Sequence, residues 1–168
     1  MNVSAFLKDW LKGVERLVVV GVGSTLRGDD AAGMEVVTRL MAEYPPDAHP
    51  RLLFCPGETA PENFSGKIRA FEPTHLLMID AANVGLAPGE FVEIPAEKVG
   101  GPGFLSHMLP LKVMINYLVG DTRAKSALLG IQYQSLEFDA PLTPEIAAAV
   151  DELCDALRCA IGECWEDQ

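Results

Sequence analysis

The sequence predicts an α/β fold, a three-layer α/β/α sandwich built around a mostly parallel, twisted sheet. Short apolar runs alternate along the chain with segments that show the spacing of amphipathic helices. Several of these runs are unbroken by polar residues, which is typical of parallel strands that are covered on both faces. A glycine-rich turn also connects the first run to the helix that follows it. At 168 residues, the chain is expected to form one domain spanning residues 1–168.

The first half of the chain predicts three helices and two strands. Apolar residues at i, i+3, i+4, i+7 and i+8 predict a helix over 3–11, and Gly13 ends it. A buried strand over 16–22 leads into the glycine-rich segment and a second helix, which the Pro45-Pro46 pair stops. A short strand over 52–55 is expected to close at Pro56-Gly57, and a helix is expected over 61–71.

The second half continues the same alternation. The apolar run over 75–81 predicts a buried strand that carries an acid near its end. The alternating segment 91–94 predicts a half-exposed edge strand, for which an antiparallel pairing is one option. Glycines and a proline predict a loop over 100–103. Further elements are a helix with Ser106 as its N-cap, a strand over 126–132, and a last helix that begins at Thr143-Pro144.

Composition narrows the classes of function. Thirteen basic and 24 acidic residues give a net charge of −11, which argues against a nucleic-acid surface. No apolar run is long enough to span a membrane, and the N-terminus lacks the features of a signal peptide, so a cytoplasmic location is expected. The four cysteines include no C-x-x-C pair, and reduced, structural thiols are expected.

Three residues occupy positions where parallel α/β sheets place their functional groups. Asp30 lies at a strand-to-helix turn, Asp80 lies at the end of a strand, and His107 lies at the start of a helix. Because strand ends and the following helix starts share one edge of such a sheet, these side chains could converge there. Two carboxylates and an imidazole would suit zinc or nickel and leave room for water or a substrate atom.

Each of these residues also has a structural interpretation. Asp30 and its neighbour Asp29 could simply occupy a helix start, where the helix dipole favours acids. Asp80 could bind loop amides, and His107 could begin a helix without binding a ligand. His49 and His75 are weaker candidates, because one lies in a proline-flanked loop and the other at the opposite end of its strand.

Two other kinds of enzyme site fit the sequence poorly. Gly21 and Gly23 begin a dinucleotide-binding pattern, but Leu26 occupies the position of the third glycine, and the two acids at the helix start would repel a pyrophosphate. The chain also lacks a G-x-S-x-G nucleophile motif, and no cysteine lies in a catalytic setting.

Four segments in this order carry a resemblance to a known family. They are VVVGVGSTLRGDDAAG (18–33), HLLMIDAANVGLAPGEFVEI (75–94), SHMLPLKVMINYL (106–118) and LLGIQYQSLEFDAPLTPEI (128–146). The sequence resembles the hydrogenase maturation endopeptidases, which trim the large subunit of nickel–iron hydrogenases, and it is most similar to the branch that serves hydrogenase 3. The resemblance implies a twisted sheet flanked by helices, and it assigns the family's metal-contacting positions to Asp30, Asp80 and His107.

The function implied by the resemblance is endopeptidase cleavage of a C-terminal extension from the large-subunit precursor after nickel insertion. The Asp/Asp/His site would recognise nickel carried by the substrate, and the free enzyme could hold zinc or another divalent metal. Either this metal activates the attacking water, or Asp30 or Asp80 serves as general base. The implied partner is the hydrogenase precursor, and the protein is expected to be a monomer. The alternative is a non-catalytic assembly factor that checks for nickel without cutting.

Two positions depart from the family pattern. Ser24 stands where asparagine is common, which puts the fine positioning of the glycine-rich loop in doubt. Tyr133 replaces the proline of a GIQP-like segment, a change expected to alter a loop rather than the chemistry.

Overall fold

The computed structural model describes residues 1–94, 108–120 and 122–165. Helices and strands follow one another through these residues in the order that the sequence predicts. The helices are α1 (Val3–Trp10), α2 (Ala32–Glu43), α3 (Ser65–Phe71), α4 (Met108–Val119) and α5 (Pro144–Trp165). The strands are β1 (Leu17–Val22), β2 (Leu52–Glu58), β3 (His75–Ala82), β4 (Phe91–Ile94) and β5 (Lys125–Gln132). Two short 3-10 turns, Gly28–Ala31 and Pro61–Phe64, precede α2 and α3.

The five strands form one sheet in the order β2-β1-β3-β5-β4. The pairs β1–β2, β1–β3 and β3–β5 are parallel. Strand β4 pairs with β5 in the antiparallel direction at the edge of the sheet, with Phe91 opposite Ile131. The antiparallel edge strand suggested by the alternating sequence is therefore confirmed.

Helices cover both faces of the sheet, which gives the three predicted layers. On one face α1, α2 and α5 pack over inward residues of the strands such as Val19, Leu77 and Leu129. On the other face α3 and α4 pack over the alternating set, which includes Val18 and Met78. All six residues of β1 are buried, because this strand lies inside the sheet and is covered on both sides. The predicted fold class is thus confirmed.

Strand β2 is longer than the sequence predicts. It continues through Pro56 and Gly57 to Glu58 instead of closing at the proline. Proline lacks an N–H to donate, but β2 lies at an edge and pairs on one side only, where a proline is tolerated. The pairing with β1 becomes irregular just there, between Gly21 and Val22.

The segment between β4 and α4 lies outside the described residues. This segment holds the predicted loop over 100–103, the predicted N-cap Ser106 and the site candidate His107. Within α4, Ile115 and Leu118 are buried against the sheet.

Candidate active site at the carboxyl ends of β1 and β3

The strand order places a topological switch point between β1 and β3. From β1 the chain passes first to β2 on one side and then to β3 on the other, so the connections leave β1 and β3 in opposite directions. In open α/β sheets such a switch point, at the carboxyl ends of the strands, is the usual place for a ligand. Asp30 follows β1 and Asp80 lies near the end of β3, so both predicted acids lie at this point.

Glycines let the loop after β1 pack closely against the sheet. A Cβ atom on Gly33 would collide with the backbone oxygen of Ile79, and one on Gly23 would collide with the backbone oxygen of Asp30. Gly23 also adopts a φ of 126°, which other residues rarely reach. The first turn of α2 therefore lies directly against β3, one residue before Asp80.

Asp30 is half-buried and is held by the loop backbone. Its Oδ2 accepts a hydrogen bond of 2.7 Å from the N–H of Ser24. The Ser24 hydroxyl instead accepts from the N–H of Leu26, at 3.3 Å. Since the backbone of residue 24 holds the carboxylate, the serine in place of asparagine leaves this contact intact.

Asp80 holds its proton more tightly than an ordinary aspartate. Burial, and after it the nearby negative charge of Asp30, raises the pKa of its carboxyl to about 7, although a hydrogen bond from the Ala81 backbone opposes both effects. The structure therefore brings together two of the three predicted residues as a pair of repelling carboxylates. A divalent cation between them would relieve the repulsion, so these two donors fit a metal that accepts oxygen ligands.

The third predicted ligand, His107, lies outside the described residues. Within the described part of the chain, no group of three or more histidine, cysteine, aspartate or glutamate side chains is arranged to hold a metal ion. The assignment of His107 to the site remains a prediction.

Asp29 differs from its neighbour because it is fully buried and structural. Its Oδ2 accepts from the N–H groups of Gln134 and Ser135, at 2.9 and 2.8 Å. Its Oδ1 accepts from the N–H of Thr143 at 2.7 Å, and the Thr143 hydroxyl lies 3.0 Å from both oxygens. Asp29 thus fastens the glycine-rich loop to the chain between β5 and α5, rather than simply occupying a helix start.

Gln132 is a positioning residue that the sequence analysis missed. It is buried at the end of β5, and its Oε1 accepts from the N–H groups of Val84 and Leu86, at 2.8 and 3.3 Å. Its Nε2 donates to the Tyr133 backbone oxygen at 3.0 Å. The side chain thereby fixes the loop that follows Asp80. An uncharged glutamine at a strand end gives no signal in the sequence that separates this role from an ordinary surface position.

The tyrosine that replaces proline after Gln132 supplies a hydrogen bond. The Tyr133 N–H donates to the backbone oxygen of Ala82 at 3.2 Å, which extends the pairing of β5 with β3 by one bond. Proline could not make this bond. The change strengthens the sheet next to the site instead of altering only a loop.

The two weaker candidates of the sequence analysis, His75 and His49, pack against aromatic rings and have structural roles. The ring of His75 is buried edge-on against Trp10, with centroids 5.1 Å apart, and burial lowers its pKa. His49 packs edge-on against Tyr44.

All four cysteines are free, as predicted, and burial raises the pKa of the Cys55 and Cys154 thiols to about 12 and about 11. Thiols that remain protonated are poor nucleophiles.

No helix in the described residues combines the length and apolar character needed to cross a membrane.

Comparisons with known proteins agree on one family. The HycI family model, described as hydrogenase maturation protease, matches residues 34–158, a stretch that contains Asp80 and begins just after Asp30. The hydrogenase 3 maturation protease of Escherichia coli strain K12 is 33% identical over 150 residues, which cover 89% of this chain and 90% of that protein.

Solved structures show the same relationship. The crystal structure of the [NiFe] hydrogenase maturation protease HycI from Thermococcus kodakarensis superposes with a TM-score of 0.85 at 29% identity, covering 93% of this chain and 98% of that one. The hydrogenase maturating endopeptidase HybD from Escherichia coli gives a TM-score of 0.69 at 26% identity, with coverage of 89% and 94%. The family match over more than half of the chain, the sequence similarity and the shared fold together establish that the chain belongs to the hydrogenase maturation protease family and is a peptidase.

Proposed function

We propose that this peptidase removes the C-terminal extension of a nickel–iron hydrogenase large-subunit precursor after nickel has been inserted. The similarity to a protease named for hydrogenase 3 supports a substrate of that type. The cytoplasmic location and the monomeric state predicted from the sequence are parts of this proposal.

The proposal gives Asp30, Asp80 and His107 the task of recognising the nickel that the substrate carries. The observation that carries it is the pairing of Asp30 and Asp80 at the switch point of the sheet, where the negative charge of Asp30 raises the cost of ionising Asp80. A cation delivered by the precursor would remove this cost, so the pair favours a loaded substrate over an empty one. Imidazole and carboxylate donors also suit nickel.

The same two acids can serve the hydrolytic step. Bound nickel would lower the pKa of a water molecule and polarise the scissile carbonyl. Asp30 is fixed by the Ser24 N–H and so holds one side of the site in place. If the metal does not activate the water, Asp80 is the alternative general base, since a carboxyl with a pKa of about 7 in the absence of a cation can accept and return a proton near neutral pH.

The test is a cleavage assay on a hydrogenase 3-type large-subunit precursor, prepared with and without nickel. Intact-mass spectrometry follows the loss of the C-terminal peptide. We expect cleavage only of the nickel-loaded precursor, and we expect Asp30→Asn, Asp80→Asn and His107→Gln each to slow it by roughly 100-fold or more, as for other general acid–base and electrostatic groups. Asp47→Asn is the matched control, because Asp47 is an exposed acid in the α2–β2 connection.

Three outcomes would count against parts of the proposal. Cleavage that survives in all three site variants would overturn the assignment of the site. Cleavage of the empty precursor at the same rate would overturn recognition of nickel. A stable complex with the loaded precursor whose mass never changes would favour the alternative, an assembly factor that checks for nickel without cutting. Size-exclusion chromatography of the free protein tests the monomeric state.

A further inference from the structure

A basic cavity lies at the opposite end of the sheet from Asp30 and Asp80. It has a volume of about 810 Å³. Arg16 and Thr74 line it just before β1 and β3, and Thr122 and Arg123 line it just before β5. Arg69 and Glu72 complete the charged lining, from α3 and the residue that follows it. The amino ends of three neighbouring strands therefore open onto one cavity.

The charge of this cavity contrasts with that of the whole chain. Among the described residues, three arginines and one glutamate line it, whereas the whole chain carries a net charge of −11. Glu72 can offset only one of these three positive charges, and the remaining positive charge favours an anion in the cavity. The concentration of positive charge at one place in an acidic protein therefore points to an anionic ligand.

Two of the guanidinium groups are held mainly by neutral backbone acceptors. The Arg16 Nε donates to the backbone oxygen of Glu72 at 2.7 Å, while its Nη2 lies a distant 3.5 Å from the Glu72 carboxylate. The Arg69 Nη2 donates to the backbone oxygen of Tyr117 at 2.5 Å, and its guanidinium lies over the Tyr117 ring. The backbone contacts orient both side chains without neutralising them, the Glu72 carboxylate offsets part of the charge of Arg16, and both guanidinium groups keep N–H groups for a ligand.

Arg123 adds a third cation in an unfavourable backbone conformation. Its φ is 59°, in the left-handed region, which is costly for a residue with a side chain and recurs at ligand sites. Within the described part of the chain, no hydrogen bond or ion pair engages its guanidinium. Nearby Gly120 makes room for Arg69, because a Cβ there would lie 2.9 Å from the Arg69 Nε.

We propose that this cavity, here named the arginine cavity and lined by Arg16, Arg69 and Arg123, binds a small molecule that carries two or more oxyanion groups. Guanidinium groups bind phosphate and carboxylate oxygens through paired N–H donors, and three of them can engage at least two such groups. The volume lies in the range of sites for small ligands and exceeds the needs of a single ion. The site is separate from the proposed protease site, and its occupant would bind with that site empty or filled.

The test uses the full chain at constant ionic strength and two probes. Pyrophosphate represents ligands with phosphate groups, and citrate represents ligands with carboxylate groups. Isothermal titration calorimetry measures binding, and thermal unfolding measures the stabilisation that binding produces. We expect saturable binding of at least one probe, and we expect Arg123→Gln and Arg69→Gln each to weaken it by about tenfold or more. Lys67→Gln is the matched control, because Lys67 is an exposed cation on α3 that does not line the cavity.

The outcomes separate the ligand classes. Binding of pyrophosphate alone would assign a phosphorylated ligand, and binding of citrate alone would assign a polycarboxylate. Arg69→Lys keeps the charge but loses the planar fork, so it should also weaken binding. Absence of binding by either probe at millimolar concentration would overturn the proposal. So would affinities that the arginine variants leave unchanged, or binding of a polyglutamate peptide alone, which would indicate a protein partner instead.

Discussion

Replacing the buried Asp29 should destabilise the whole domain. Its carboxylate accepts from three backbone N–H groups, those of Gln134, Ser135 and Thr143, and also contacts the Thr143 hydroxyl. In Asp29→Ala these amides lose their acceptor, at roughly 1–3 kcal/mol for each buried donor, so we expect a loss of about 3–5 kcal/mol in the free energy of unfolding. Asp29→Asn keeps one oxygen but turns an N–H towards the other donors, and it should cost about 2–4 kcal/mol.

Urea denaturation followed by circular dichroism measures these losses, with equal m-values as the check that both variants unfold as the wild type does. Asp47→Ala serves as the control, because substitution of an exposed acid should stay within about 0.5 kcal/mol. A loss below about 1 kcal/mol for Asp29→Ala would refute the reasoning, since it would mean that water or other groups replace the carboxylate at little cost.

Three further predictions concern the surroundings of the site. The folded pKa of Asp80, about 7, exceeds its ordinary value of 3.8, so the wild type should lose stability as pH rises from about 4 to 7, by up to roughly 4 kcal/mol. Asp80→Asn should flatten this part of the pH profile and be the more stable protein at pH 8; an unchanged slope would assign the effect to other groups. Gly33→Ala should cost about 1–3 kcal/mol, because its Cβ meets the Ile79 backbone, whereas Gly66→Ala on α3, where nothing lies within 4 Å, should stabilise by about 0.5–1 kcal/mol. Thermal unfolding compares this pair, and equal shifts would contradict the close packing of α2 on β3. Gln132→Leu removes the acceptor of two loop amides, so hydrogen exchange of residues 84 and 86 should quicken; unchanged protection would show that the loop is held by other contacts.

The sequence was sufficient to place Asp30 and Asp80 because their positions follow from general rules. An acid after a buried strand and an acid near the end of another lie at the same edge of any parallel sheet. The sequence of the two segments could not predict that β1 and β3 lie side by side, because this depends on the order of the strands in the sheet. The raised pKa of Asp80 likewise depends on the burial and the charge that this order produces.

The different roles of Asp29 and Asp30 could not be predicted from two adjacent identical residues. The partners of Asp29 lie more than 100 positions further along the chain, and nothing local marks them. The prediction that the second strand closes at Pro56 was wrong for a related reason. Proline usually ends a strand, and only the position of β2 at the edge of the sheet lets the strand continue.

The two edges of the sheet also bear on self-association. Exposed strand edges invite pairing with other chains, and natural proteins limit this with short strands, prolines and irregular pairing. Among the described residues β4 spans four positions, Phe91–Ile94, and β2 carries Pro56 beside its irregular register with β1. The β2 edge therefore offers few consecutive N–H and C=O groups to a second molecule. Pro56→Val would supply a missing donor at one edge, and at high concentration it should make the chain more prone to form fibrous aggregates.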